Sequence, residues 1–205
     1  MMTETPATRM RTAERRRQIL DEATRIVGQR GYYGFSVQEL ADSCGLTVAG
    51  VLHHVGTKEK LLMMLLDERD RRDAEAIIDR VEGDLDELTD PLTLEHVWRV
   101  LHEIVVRNSE QPELVRLFTV LRSEALYREH PAYDYFRARD LHVVEVFTQM
   151  IAHLDTVGEP RATARQLLAL MAGLEEQWLR FPDEFDLVTE WDRAAIKLLA
   201  TNISR

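Results

Sequence analysis

The sequence predicts an all-α protein: a small N-terminal three-helix unit, a long connecting helix and a larger helical body. Three observations carry this. Apolar residues recur at helical spacing along almost the whole chain, with no sustained period-two alternation and no internal repeat. Pro91, Pro112, Pro131, Pro160 and Pro182 all fall in the gaps between the periodic segments, where helices begin or end. Finally, residues 36–54 read as two short helices joined by a tight, Gly-containing turn.

Residues 1–10 are polar, include Pro6, and are expected to form a flexible arm. Arg9 and Arg11 suit either a phosphate or minor-groove contact or a solvated tail. Thr12 is a candidate cap for the first helix, whose buried face would be Ile19, Leu20, Ala23, Ile26 and Val27. Gly31 ends that helix, and Tyr32, Tyr33 and Phe35 follow as aromatic plugs for a three-helix core. Ser36 then caps a short helix, with Glu39 three residues on completing a capping box, and Val37, Leu40 and Ala41 form its apolar stripe. Gly45 breaks the pattern, since glycine accepts the left-handed conformation of a helix C-cap. A second short helix restarts at the N-cap residue Thr47 and runs through His54. The pair makes a helix-turn-helix, whose second helix fits the DNA major groove.

Thr57 caps the next helix, with Lys58 and Glu59 in its first turn. Free N–H groups and the positive end of the dipole make that terminus a candidate phosphate seat. Its stripe continues through Leu61, Leu62, Leu65, Leu66, Ala74, Ile77, Ile78 and Val81 to near Gly83, about 26 residues or about 39 Å. Five further helices follow from Leu94 to Val105, Leu114 to Ala125, Phe136 to Leu154, Leu167 to Trp178 and Val188 to Leu199. The run Val143-Val144-Glu145-Val146-Phe147 is β-like in composition, but its neighbours keep a helical period.

With 205 residues, 45% hydrophobic and 30% charged, the chain has the composition of a soluble globular protein of one or two domains. No apolar run approaches the roughly 20 residues of a membrane span. The N-terminus lacks the apolar core of a signal peptide, so a cytoplasmic protein is expected. The single cysteine, Cys44, excludes an internal disulfide and a cysteine-rich zinc site, and suits a small buried turn residue better than a redox sensor. The net charge of −10 is unevenly spread: residues 1–60 hold nine basic and seven acidic side chains (net +2), residues 61–205 seventeen and twenty-nine (net −12). This asymmetry suits a small DNA-reading end on an acidic body; a solvated acidic surface fits the same numbers, and charge alone does not decide between them.

Gly45-Leu46-Thr47, Gly50-Val51-Leu52-His53-His54-Val55, Thr57-Lys58-Glu59 and Leu61-Leu62 agree in order, spacing and type with the DNA-binding domain of the TetR family of bacterial transcriptional regulators, which this chain resembles over about residues 11–66. Residues 31–36 resemble the family's G-[FY]-x-x-[TS] lead-in, and Met171 to Leu179 resembles a DGLQ-x-QWL-like stretch in its penultimate helix. Leu52 departs from the Tyr that most members carry and use to hold a phosphate; Val55 replaces the commoner Phe at an inward position. The resemblance implies a flexible arm (1–11), an N-terminal three-helix helix-turn-helix DNA-binding domain (12–57) and, joined by the long helix, a C-terminal helical ligand-binding and dimerisation domain (58–205). It further implies a cytoplasmic homodimer, most often a repressor, that binds a palindromic operator in double-stranded DNA and is released by a small-molecule effector.

By the same resemblance, Gln38, Thr47, Val48, Ala49, Gly50 and His53 face DNA, and His54, Thr57 and Lys58 contact phosphates. Gln38 has the chemistry to read adenine, His53 to donate to guanine, and Val48 and Ala49 to meet a thymine methyl. A metal site at His53-His54 is not expected, because adjacent helical residues do not face one another. The last two helices, about 161–181 and 186–203, resemble the family's dimerisation pair, and Ala164, Ala169, Ala172, Gly173, Ala194, Ala195 and Ala200 would permit close approach.

In the body, Trp98, Phe118, Phe147, Met171 and Trp178 are large side chains that suit a core or a cavity lining. His102, Arg122 and Glu175 each lie one turn after such a residue, placing polar groups on apolar faces. A mostly apolar pocket with few polar groups is how a small-molecule site looks, so these eight are the candidate effector residues, for an effector with a large apolar surface. The three polar groups equally suit pairing with one another or reaching water. No phosphate-binding Gly loop, HExxH or G-x-S-x-G turn occurs, so no enzymatic activity and no cofactor are expected. The alternative is an all-α ligand-binding or scaffold protein with a degenerate helix-turn-helix, which Leu52 and the acidic total favour.

Overall fold

The computed structural model describes residues 6–85, 93–155 and 157–200, with side chains described from residue 12 to 71 and from 93 onward. Among these it contains nine helices and no strand: α1 (Pro6–Gly34), α2 (Val37–Cys44), α3 (Val48–Val55), α4 (Lys58–Leu85), α5 (Leu94–Ser109), α6 (Pro112–Glu124), α7 (Tyr133–Ile151), α8 (Pro160–Arg180) and α9 (Leu187–Leu199). The β-like run at 143–147 is helical within α7. Pro112 and Pro160 each open a helix, where a missing N–H costs nothing. The side chains of Arg9, Arg11 and the stripe residues Ala74 to Val81, together with Pro91 and the expected end of α9 at 203, lie outside what is described.

One expectation is displaced at the start. The first helix begins at Pro6, not after a cap at Thr12. Proline's fixed φ suits a first helical position, and Ala7 to Arg11 contains no breaker, so the helix extends through much of the expected arm.

The chain divides into two compact units. The first comprises residues 1–71 and 116–133. In it α1, α2 and α3 pack together around Ile19, Ala23, Ile26, Val27, Leu40, Ala41, Val51 and Val55. The start of α4 adds Leu61, Leu62, Leu65 and Leu66, all buried, at roughly 1.5–3 kcal/mol per fully buried side chain. Part of α6 belongs here too: Arg69 of α4 is 7% exposed and lays its guanidinium 3.6 Å from the centroid of the Phe118 ring. The unit thus holds more than the three helices expected for 12–57, because α4 carries its apolar stripe into it and α6 covers α4.

Local chemistry sets the element ends. Ser36 Oγ accepts the Glu39 N–H at 3.1 Å, but Glu39 does not return the bond as a capping box would; its carboxylate accepts from Arg30 Nε at 2.9 Å and ties α2 to α1. That pair is largely solvent-exposed and contributes at most about 1 kcal/mol. Gly45 adopts φ 64°, ψ 35°, and Leu46 N–H reaches Ala41 O at 2.9 Å, the long bond of a Schellman C-cap. Thr47 Oγ1 accepts Gly50 N–H and Thr57 Oγ1 accepts Lys60 N–H, both at 3.1 Å.

In the turn after α6, His130 is buried. Its Nδ1 accepts the Ala132 N–H at 3.1 Å, which places the ring proton of the neutral form on Nε2, 3.6 Å from Glu124 Oε2. Burial lowers the imidazole's pKa below its ordinary value, with Glu124 acting in the opposite sense.

The second unit comprises residues 72–115 and 134–205. Here α9 packs on both α5 and α8. Its face Leu187, Trp191, Ala195 and Leu199 repeats every four residues and is almost fully buried. Val97, Leu101 and Val105 of α5, Val144, Phe147 and Ile151 of α7, and Ala164, Leu167 and Met171 of α8 complete the core. Thr93 and His96 form a reciprocal capping box at the start of α5, and Asp186 caps α9 by accepting the Thr189 N–H at 2.8 Å. None of the described helices is long and apolar enough to cross a membrane.

Two stability predictions follow from these ends and this turn. A Cβ at Gly45 would meet nothing within 4 Å, so Gly45→Ala costs only the left-handed backbone, about 1 kcal/mol, and Gly45→Asn less; urea midpoints of the two variants measure the difference. His130 binds its proton less readily folded than unfolded, so the stability it contributes is complete above the unfolded value of about 6.5 and is lost as pH falls from there through the lower folded value. Wild type should therefore lose urea resistance between pH 7.5 and 5.5, and His130→Asn, which keeps an acceptor for Ala132, should be less stable at pH 7.5 but lose less on acidification.

Candidate nucleic-acid interface

The short helix α3 is amphipathic in a way that leaves one face for a partner. Val51 and Val55, one turn apart, are buried at 0% and 4% exposure and fix the inward face. Ala49 and His53, also one turn apart, are exposed, while Val48, Gly50, Leu52 and His54 flank them half-buried. Thr47 is exposed at the N-cap with its hydroxyl oxygen bonded to Gly50 N–H. A Cβ on Gly50 would lie 3.3 Å from that oxygen and 3.8 Å from Leu46 Cβ, so glycine lets the first turn close on its cap.

Gln38 is exposed on α2 and donates from Nε2 to Asp42 Oδ1 at 2.7 Å, which leaves its carbonyl oxygen for a partner. The His53 and His54 rings meet edge to face, 5.4 Å between centroids. No group of three metal-ligating side chains occurs among the described residues. Cys44 is buried, and burial raises its thiol's pKa, which makes it less reactive.

Lys58 is placed differently from a free phosphate ligand. Its Nζ donates to Phe35 O at 2.7 Å and lies 4.7 Å and 4.4 Å from the centroids of the Tyr32 and Phe35 rings. Burial there holds its pKa below the ordinary lysine value. Tyr32 Oη donates to Glu59 Oε1 at 3.1 Å, and burial followed by that bond pushes the phenol's pKa up to about 12. Glu59 is held below the usual carboxylate range, first by its own backbone N–H, then by Thr57 and Tyr32. The start of α4 thus already carries one anion, Glu59, and the adjacent ammonium braces the Phe35 carbonyl immediately before the Ser36 cap. Thr57 is exposed and His54 half-buried beside it.

The eight candidate effector residues are divided between the two units. Phe118 and Arg122 belong to the first unit, where Phe118 packs under Arg69. The other six lie in the second unit. Trp98 stacks on His102 at 4.8 Å between centroids, and His102 Nδ1 is 2.8 Å from Asp192 Oδ1. Glu175 Oε1 accepts from Asn108 Nδ2 at 2.6 Å. Phe147 and Met171 are core residues, and Trp178 packs half-buried against the same core. Two of the three polar candidates, His102 and Glu175, pair with residues the sequence reading omitted, Asp192 and Asn108. Asn108 was findable: it lies on the buried stripe of Val97, Leu101 and Val105, the same pattern that singled out Glu175. Trp191 was also passed over; it is fully buried and its indole Nε1 has no hydrogen-bond partner.

Similarity to known proteins follows this geometry. Residues 19–63, which span α2, α3 and parts of α1 and α4, match the family described as bacterial regulatory proteins, tetR family. The chain is 28% identical over 170 residues to the HTH-type transcriptional regulator PksA of Bacillus subtilis, covering 78% of this chain and 77% of that protein. Over 62 residues, 30% of this chain and 33% of the relative, it is 37% identical to the HTH-type transcriptional repressor AcnR of Corynebacterium efficiens. Its fold matches the crystal structure of AibR in complex with isovaleryl coenzyme A and operator DNA, with a TM-score of 0.72 and 22% identity across 92% of this chain and 99% of that one. With a capped helix-turn-helix inside the matched segment and relatives on both the local and the long scale, residues 19–63 carry the N-terminal segment that marks the tetR family of bacterial regulatory proteins.

Proposed function

We propose that the chain is a cytoplasmic, homodimeric transcriptional repressor that binds a palindromic operator and is released by a small molecule. The observation that carries this is the exposed face of α3, Ala49 and His53 flanked by Val48 and backed by buried Val51 and Val55, starting from a bonded Thr47 cap. Residues near the start of such a helix meet base edges, and caps and flanking groups hold phosphates. Gln38, Thr47, Val48, Ala49, Gly50 and His53 are the proposed base-facing set, with His54 and Thr57 on the backbone. Lys58 adds positive charge and holds the motif's start through Phe35.

Repression is supported by the name of AcnR, to which the chain is 37% identical over 62 residues. Release by a ligand is supported by the shared fold with AibR, which was crystallised with an acyl coenzyme A and DNA. In the second unit the proposed ligand residues are Trp98, His102, Phe147, Met171, Glu175 and Trp178, joined by the unmatched indole N–H of Trp191; Phe118 and Arg122 lie on α6 in the first unit, where Phe118 packs under Arg69 of α4. These favour a largely apolar effector with one hydrogen-bond acceptor. Dimerisation through α8 and α9 is supported by exposed Phe181 and Ile196 and by the small residues Ala169, Ala172, Gly173 and Ala194 at partly or fully exposed positions. Two copies would set two α3 helices about 34–36 Å apart, one turn of DNA. The effector would favour the state that binds DNA poorly, and operator DNA must weaken effector binding by the same factor. A reading without catalysis accords with relatives that are regulators.

The alternative, a helical binding protein whose motif no longer reads DNA, is favoured by Leu52 and by the inward Lys58. Titration of the purified protein against duplexes recovered from a random pool, beside scrambled DNA and at two salt concentrations, separates the two. A regulator binds its selected duplex orders of magnitude more tightly than scrambled DNA, and binding falls steeply with salt. His53→Ala should weaken selective binding by about tenfold and leave the scrambled-DNA affinity alone, a difference of about 1–3 kcal/mol per lost base contact. Lys58→Ala should weaken both and also lower stability by about 1 kcal/mol, since Phe35 O loses its donor. No selected duplex from wild type would establish the alternative.

A further inference from the structure

The geometry points to Glu124 as a positioning residue for DNA reading, acting from the far end of α6 on the segment that leads into the helix-turn-helix; this rests on the regulator reading above. Helix α1 breaks at Gly31, with φ 73° and ψ 174°, so the next N–H, that of Tyr32, has left the helical ladder. Glu124 Oε2 accepts that N–H at 2.7 Å across 92 residues of sequence. The carboxylate also fills the space a side chain at Gly31 would need: a Cβ there would fall 2.0 Å from Oε1 and 2.7 Å from Cδ. Gly31 thus meets two demands, a left-handed backbone and a carboxylate lying against it.

The carboxylate is itself backed. His130 Nε2 faces Oε2 at 3.6 Å, and the buried ring, held by the Ala132 N–H, packs edge-on against Tyr32 at 5.3 Å and Tyr33 at 5.5 Å between centroids. On its other side Tyr32 bonds Glu59 and lies under the Lys58 ammonium, which holds Phe35 O, and the next residue, Ser36, caps α2. Contacts therefore run without a gap from the turn after α6 to the first residue of the motif. Glu124 touches no DNA-facing side chain, yet it fixes the direction in which the chain leaves α1. Its removal should alter where α2 and α3 are held while leaving both helices formed.

The test uses the full chain and the duplex recovered with wild type. Glu124→Ala should weaken binding to that duplex by about tenfold, the worth of one charge-assisted hydrogen bond, with the affinity for scrambled DNA nearly unchanged. Amide exchange should quicken at Tyr32 and stay slow at Val51 and Val55. Glu124→Gln, which keeps an acceptor oxygen, should recover most of the affinity and also guards against a poorly folded alanine variant; Glu129→Ala, at an exposed neighbour, should match wild type. Gly31→Ala combined with Glu124→Ala should cost less than the sum of the two, because both disturb one contact. Wild-type affinity in Glu124→Ala with unchanged Tyr32 exchange would overturn the inference and leave the regulator reading standing. A wild type that selects no duplex overturns both.

Discussion

A single backbone donor ties together the unit that holds the helix-turn-helix. Once α1 breaks at Gly31, the Tyr32 N–H needs a partner that its own helix no longer supplies, and a buried amide without one costs about 1–3 kcal/mol. The Glu124 carboxylate supplies it, and everything around Tyr32 is arranged to keep that bond dry and aligned: the buried His130 ring, the Lys58 ammonium, the Glu59 carboxylate. The direction of α2 and the presentation of α3 are downstream of this arrangement. An exposed helix-turn-helix of two eight-residue helices has little core of its own, so its orientation comes from neighbours more than from within.

What could be read from the sequence was what is local. Ser36, Thr47 and Thr57 cap their helices as their side chains require, and Gly45 takes the left-handed conformation that its position after α2 demands. Each of these needs only four or five consecutive residues. Failures of reading occurred wherever a side chain had a choice of partner distant in sequence. Glu39 had the spacing of a capping box and went to Arg30, and the bond from Lys58 to Phe35 O was likewise not foreseen. Glu124 offered no signal at all, since nothing near it announces a bond to residue 32. The early start of α1 at Pro6 is a milder case, in which a polar composition with a proline was read as an arm although that proline suits a first helical position and no breaker follows it up to Arg11.

The body shows the same limit with a chemical consequence. Polarity on an apolar stripe correctly marked His102 and Glu175 as unusual, but their partners Asp192 and Asn108 came from other helices. As the structure stands these groups are matched pairs, so a ligand that engaged one would have to replace the bond it breaks. Trp191 is the contrasting case, a donor enclosed by an apolar core with no acceptor.

The close approach of Gly50 to its cap bears on how such a domain can change over generations. With 3.3 Å between a would-be Cβ and Thr47 Oγ1, a side chain at residue 50 requires the cap to give by a few tenths of an ångström, and Val51 and Val55 are held by the core. Variation in what α3 displays therefore falls most freely at positions 48, 49, 52, 53 and 54. A lineage diverging toward a new binding sequence, or a library built to imitate one, works with that short alphabet.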